Sequence, residues 1–180
     1  DYTKAAELYA AAAEQGSAGA QYALGSMYLD GSGMKQDYSK AVDLCTKAYE
    51  QGNMDACVTL GYMYENGYGV TRDMAKAVEL YTEAADAGVA WGQNNLGWCF
   101  YYGEGVDYDL NKAAELFEAA ASQENINARY GFGLCSFDVG NYKTAFFSYF
   151  FEYFITLKSV NRVKLVSGTK QIGVFIAQIF

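Results

Sequence analysis

Four segments, DYTKA at 1–5, DYSKA at 37–41, DMAKA at 73–77 and DLNKA at 109–113, recur every 36 residues without a gap. Leu8, Leu44, Leu80 and Leu116 keep one register, and Ala12, Ala48, Ala84 and Ala120 another. The pairs Leu24–Gly25, Leu60–Gly61 and Leu96–Gly97 follow, with Phe132–Gly133 as a weaker fourth copy. Gly31/Gly33, Gly67/Gly69 and Gly103/Gly105 close the units. A period of this size narrows the possible folds sharply. One short unit cannot bury its apolar face alone, so it must lean on its neighbours in a stack. The units are read as 1–36, 37–72, 73–108 and 109–138, with 139–180 as a degenerate fifth repeat or C-terminal cap with an apolar tail.

Each unit reads as two helices. In the third, Ala77, Leu80, Tyr81, Ala84 and Ala85 recur at i, i+3, i+4, i+7 and i+8, one apolar stripe. Asp73 stands where an N-cap belongs, its acid suited to the positive helix end. Gly16, Gly52 and Gly88 fall just past the first helix, where the chain often needs a positive φ. The small residues of the Ala and Leu–Gly registers let helix backbones approach closely.

The remaining composition excludes more than it selects. Among 180 residues there is no His and no Pro, so the commonest general base and metal ligand is missing. The net charge is −8. Acids outnumber bases over 1–138, and bases outnumber acids over 139–180. An acidic body argues against binding a nucleic-acid backbone. Cysteines at 45, 57, 99 and 135 form no C-x-x-C, which leaves no zinc or redox motif. Cys99 and Cys135 sit one repeat apart, about 10 Å for packed helices and beyond disulfide reach. Small buried hydrophobes in a reducing compartment are the expectation. No metal or cofactor site is read. The longest apolar run, 145–157, is too short and too interrupted to span a bilayer. The chain opens in mid-pattern without Met and reads as a fragment or processed product. Unpaired cysteines and the lack of a visible signal peptide lean to an intracellular setting.

The signature K-A…A-x-x-G…A-x-x-L-G…Y-x-x-G-x-G-V, best seen from Lys76 to Ala113, resembles the Sel-one-like repeat family, relatives of the tetratricopeptide repeat. The resemblance covers about residues 1–138. Gly92 and Phe100 depart from its usual Ala and Tyr. It implies an all-α fold, a right-handed superhelical α-solenoid of helix-turn-helix units. It also implies adaptor or scaffold work on other proteins or peptides, and no catalysis.

In the tetratricopeptide relatives, the helix carrying the Leu–Gly pair lines the concave groove. Carried over, Trp91, Asn94, Trp98, Tyr101 and Tyr102 share one helical face, with Leu96, Gly97 and Phe100 turned into the stack. The equivalent faces hold Asp55, Val58, Tyr62, Glu65 and Asn66 in the second unit, and Gly19, Tyr22, Ser26, Leu29 and Asp30 in the first. In the fourth they hold Asn127, Tyr130, Leu134, Phe137 and Asp138. The candidate groove residues are therefore Trp91, Asn94, Trp98, Tyr101, Tyr102, Tyr62, Asp55, Val58, Tyr22 and Tyr130. Aromatic side chains of this kind anchor protein interfaces; equally, each can pack against the neighbouring unit. With Asp30, Asp55 and Glu65 nearby, the groove favours a partner with apolar and basic residues.

Two rivals stand beside the adaptor reading. Ser32-Gly-Met-Lys35 and Ser167-Gly-Thr-Lys170 match the S-x-x-K of serine-acylating, β-lactamase-like enzymes, but the S-D-N and K-T-G partners are missing. A structural spacer within a larger protein is the other. The Gly-x-Gly loops lack the third Gly and the Lys of phosphate loops. The tail from 145 reads as an aromatic helix followed by either a hairpin or a helix. The helix is favoured because a solenoid end offers helices to pack on. A cap, a docking surface, an altered end, and a basic segment meeting an anionic membrane surface all fit its composition.

Overall fold

A computed structural model describes residues 1–138 together with Gly140 and Asn141. The proposed fifth repeat, the tail and Ser167 lie outside these. Eight helices of 13 residues each follow one another: α1 Tyr2–Glu14, α2 Ala18–Asp30, α3 Tyr38–Glu50, α4 Met54–Asn66, α5 Met74–Asp86, α6 Ala90–Tyr102, α7 Leu110–Ser122 and α8 Ile126–Asp138. Their starts repeat the 36-residue period, and no strand occurs among the described residues.

Local chemistry sets the boundaries. Asp1, Asp37, Asp73 and Asp109 cap the odd-numbered helices, each carboxylate accepting from a backbone N–H two or three residues on. Ser17 and Asn53 do the same for α2 and α4, whereas Val89 gives α6 no side-chain cap. The return loop is pinned at the same place in three units. Asp37, Asp73 and Asp109 donate their N–H to the carbonyls of Tyr28, Tyr64 and Phe100 at 2.9–3.0 Å.

The helices stack in order, each against the next, and α2–α4, α4–α6 and α6–α8 also touch. The even-numbered helices thus form a continuous inner row, with the odd-numbered ones outside. The stripe expected for α5 is what that helix buries: Ala77, Leu80, Tyr81, Ala84 and Ala85. Leu8 departs from its register mates. It is 65% exposed where Leu80 is 3%, because α1 has a neighbour on one side only. All four cysteines are buried and unpaired. Burial raises their thiols, Cys45 and Cys99 to about 12 and Cys57 and Cys135 to about 11.

The Leu–Gly pair has a steric reason. A Cβ on Gly61 would lie 2.6 Å from the ring of Tyr81, and one on Gly97 2.8 Å from the ring of Phe117. At Gly25 the obstacle is the Cys45 sulfur, 2.7 Å away. Gly92, where the other units carry Ala, lies against α5; its Cβ would come within 2.6 Å of that of Ala84.

Two stability outcomes follow from this packing. Gly61→Ala has no room, because the Tyr81 ring is fully buried and its hydroxyl is held by Glu65 at 2.6 Å. Denaturant unfolding should show a loss of about 1–3 kcal/mol. Glu124, at the place of Gly16, Gly52 and Gly88, holds φ 66 without being glycine. Glu124→Gly should relieve this and raise stability by about 1 kcal/mol in the same assay.

Candidate functional site

The inner row carries a hollow of about 350 Å³ between α2, α4 and α6. Tyr22 and Leu29 line it from α2, Asp55, Val58, Thr59 and Tyr62 from α4, and Trp91 and Asn95 from α6. Five of the ten groove residues read from the sequence, Tyr22, Asp55, Val58, Tyr62 and Trp91, therefore meet in one place. Thr59 and Asn95 were missed. Each stands four residues beyond a named one, Asp55 and Trp91, so the i+4 spacing carried the signal.

Trp91 is 52% exposed, and Tyr62 and Asp55 are also open to solvent. The Tyr62 hydroxyl is raised above its ordinary pKa, first by burial, then by Tyr68, and then by the carboxylates of Glu65 and Asp30. Glu65 departs from its expected place on the open face. It accepts from the Tyr81 hydroxyl at 2.6 Å, reaching across to α5. Tyr62 meets Tyr68 edge to face at 5.7 Å, and Tyr68 stacks on Tyr38 at 4.8 Å.

The other aromatic residues form a separate cluster towards α7 and α8. Trp98 packs edge-on against Phe117 at 4.8 Å, stacks on Tyr102 at 5.5 Å and leans on Tyr130 at 6.1 Å. Tyr101 donates its hydroxyl to the Asp138 carboxylate at 2.9 Å, which ties α6 to α8. Burial and that carboxylate raise the Tyr101 hydroxyl pKa. Trp98 and Tyr101 are half-buried between units, whereas Tyr102 is 63% exposed and Tyr130 is also open. Asn94 does not belong on the groove surface. It is only 3% exposed, its Nδ2 donates to Asn95 Oδ1 at 3.0 Å, and its own Oδ1 has no hydrogen-bond partner.

Among the described residues no three Cys, Asp or Glu gather as metal ligands, and no helix is long and apolar enough to cross a membrane. Ser32 lies in the turn after α2, its N–H bonded to the Met27 carbonyl at 3.1 Å, rather than at a helix start.

The sequence profile of the Sel1 repeat matches residues 1–17, 18–53, 55–89 and 92–125. Its boundaries fall half a unit from those drawn above, pairing each inner helix with the outer helix that follows. A Sel1 repeat protein from Oxalobacter formigenes is similar in structure, with a TM-score of 0.71 and 29% identity over 74% of this chain and 53% of that one. So is c5321, a protective antigen present in uropathogenic Escherichia coli strains and displaying an SLR fold. Its TM-score is 0.70 and its identity 28%, over 99% of this chain and 41% of that one. Helicobacter pylori cysteine rich protein B (hcpB) reaches a TM-score of 0.55 and 29% identity over 71% of this chain and 92% of that one. The chain thus spans about half, and about two fifths, of the length of the first two. No curated protein matches.

The two tryptophans should separate in stability. Trp98→Ala removes a ring wedged against Phe117 and should cost about 2–4 kcal/mol in denaturant unfolding. Trp91→Ala, at a half-open position, should stay within about 0.5 kcal/mol of wild type.

Proposed function

The chain belongs to the Sel1 repeat family, whose helical repeats generally serve as protein-interaction scaffolds, and from that premise we propose that it holds a segment of a partner protein in the inner hollow between α2, α4 and α6. The observation that carries this reading is the meeting of Tyr22, Val58, Tyr62 and Trp91 around one 350 Å³ hollow, with Trp91 half open to solvent. Large rings fixed by a rigid helix offer contact area at little cost in conformational entropy, the usual make-up of an interface anchor. The backbone of α4 and α6 is helical and stacked, so the rings are presented in place before a partner arrives. The volume lies at the lower end of the roughly 300–1,000 Å³ common for ligand clefts. It suits a few side chains of a peptide.

A Trp91→Ala/Tyr62→Ala chain tests this. Circular dichroism should show the wild-type helix content. In affinity capture from the source lysate, the partner held by wild type should fall roughly tenfold or more, as for paired interface anchors. Equal capture by the folded variant would place binding elsewhere on the chain, and capture by neither would favour the spacer reading.

A further inference from the structure

We propose that the hollow seats an arginine side chain of the partner, an assignment that rests on the groove reading above and adds a charge requirement to it. Across α2, α4 and α6 there is no Lys or Arg, while three carboxylates, Asp30, Asp55 and Glu65, stand on these helices. Asp55 is the one charged residue in the lining, and it is exposed. Asp30 and Glu65 are among the groups that raise the Tyr62 hydroxyl pKa, Glu65 while it accepts from Tyr81. A partner side chain entering here meets the Asp55 carboxylate, with no Lys or Arg on α2, α4 or α6 to offset it.

The rest of the lining selects among cations. Tyr22, Tyr62 and Trp91 present aromatic side chains, and Leu29 and Val58 apolar ones. A guanidinium is planar, weakly hydrated and forked. It stacks on Trp or Tyr while donating two hydrogen bonds to one carboxylate. A lysine ammonium is a compact, strongly hydrated point charge, and apolar walls would strip its water with less return. The chain itself places a cation over this class of ring elsewhere: Lys40 Nζ lies 5.1 Å from the Tyr28 ring centre, and Lys112 Nζ the same distance from that of Phe100. Those are outer-helix lysines serving the fold, whereas the aromatic side chains of the hollow have no such cation of their own in the lining.

Phage-displayed random peptides, selected at low salt on the immobilised full chain and in parallel on its Asp55→Asn and Trp91→Ala forms, test the assignment. On wild type, arginine should be enriched roughly fivefold or more over its library frequency, and more than lysine. On Asp55→Asn the arginine excess should disappear while apolar residues stay enriched. Apolar enrichment with arginine at library frequency, lysine enriched as much as arginine, or an arginine excess that survives Asp55→Asn would each overturn the arginine seat and leave the groove standing. No enrichment on wild type beyond that on Trp91→Ala would overturn the groove and the seat together.

Discussion

The close approach of each inner helix to the outer helix after it governs the rest of the molecule. Gly25, Gly61 and Gly97 lie so near Cys45, Tyr81 and Phe117 that a single methyl group would not fit. The absent Cβ lets a large ring lie close against a helix backbone, and Phe117 comes equally close to Gly131 on α8. Interiors are packed too densely for such a contact to relax without shifting a helix. Because it repeats every 36 residues, a fixed spacing propagates along the row. The hollow is a consequence: three inner helices held by their outer partners leave their free faces side by side.

The same contacts decide which aromatic residues are structural. Phe117 is fully buried, and Trp98 rests on it. Tyr101 is drawn to Asp138. These rings belong to the joint between the third and fourth units. Trp91, about two turns before Trp98 on the same helix, has no such partner among the ring contacts and stays half open beside Tyr62 and Asp55. A single aromatic-rich helix thus serves stacking at its C-terminal end and presents a surface at its N-terminal end.

Much of this was legible in the sequence. The exact period located all eight helices, the α5 stripe named every buried residue of that helix, and the capping aspartates and glycines marked the turns. The α6 face read from the spacing includes Trp91, which lines the hollow, and Asn94, which is buried. Helical periodicity tells where a side chain points, but not how far neighbouring helices reach over it. The split between Trp91 and Trp98 was hidden for the same reason. Both lie on one face, and only the position of α7 separates them. Glu65 shows a third limit. Its reach to Tyr81 spans 16 residues and depends on the fold having brought α5 alongside α4.

Nitrogen-15 NMR of the full chain offers the most direct check on the groove, because the protein contains two tryptophans, Trp91 and Trp98. Their indole N–H signals can be assigned with one substitution each and followed as a bound peptide is titrated in. The account predicts that the Trp91 signal moves and saturates with binding while that of Trp98 stays near its free position. A shift confined to Trp98, or binding that leaves Trp91 unmoved, would contradict it.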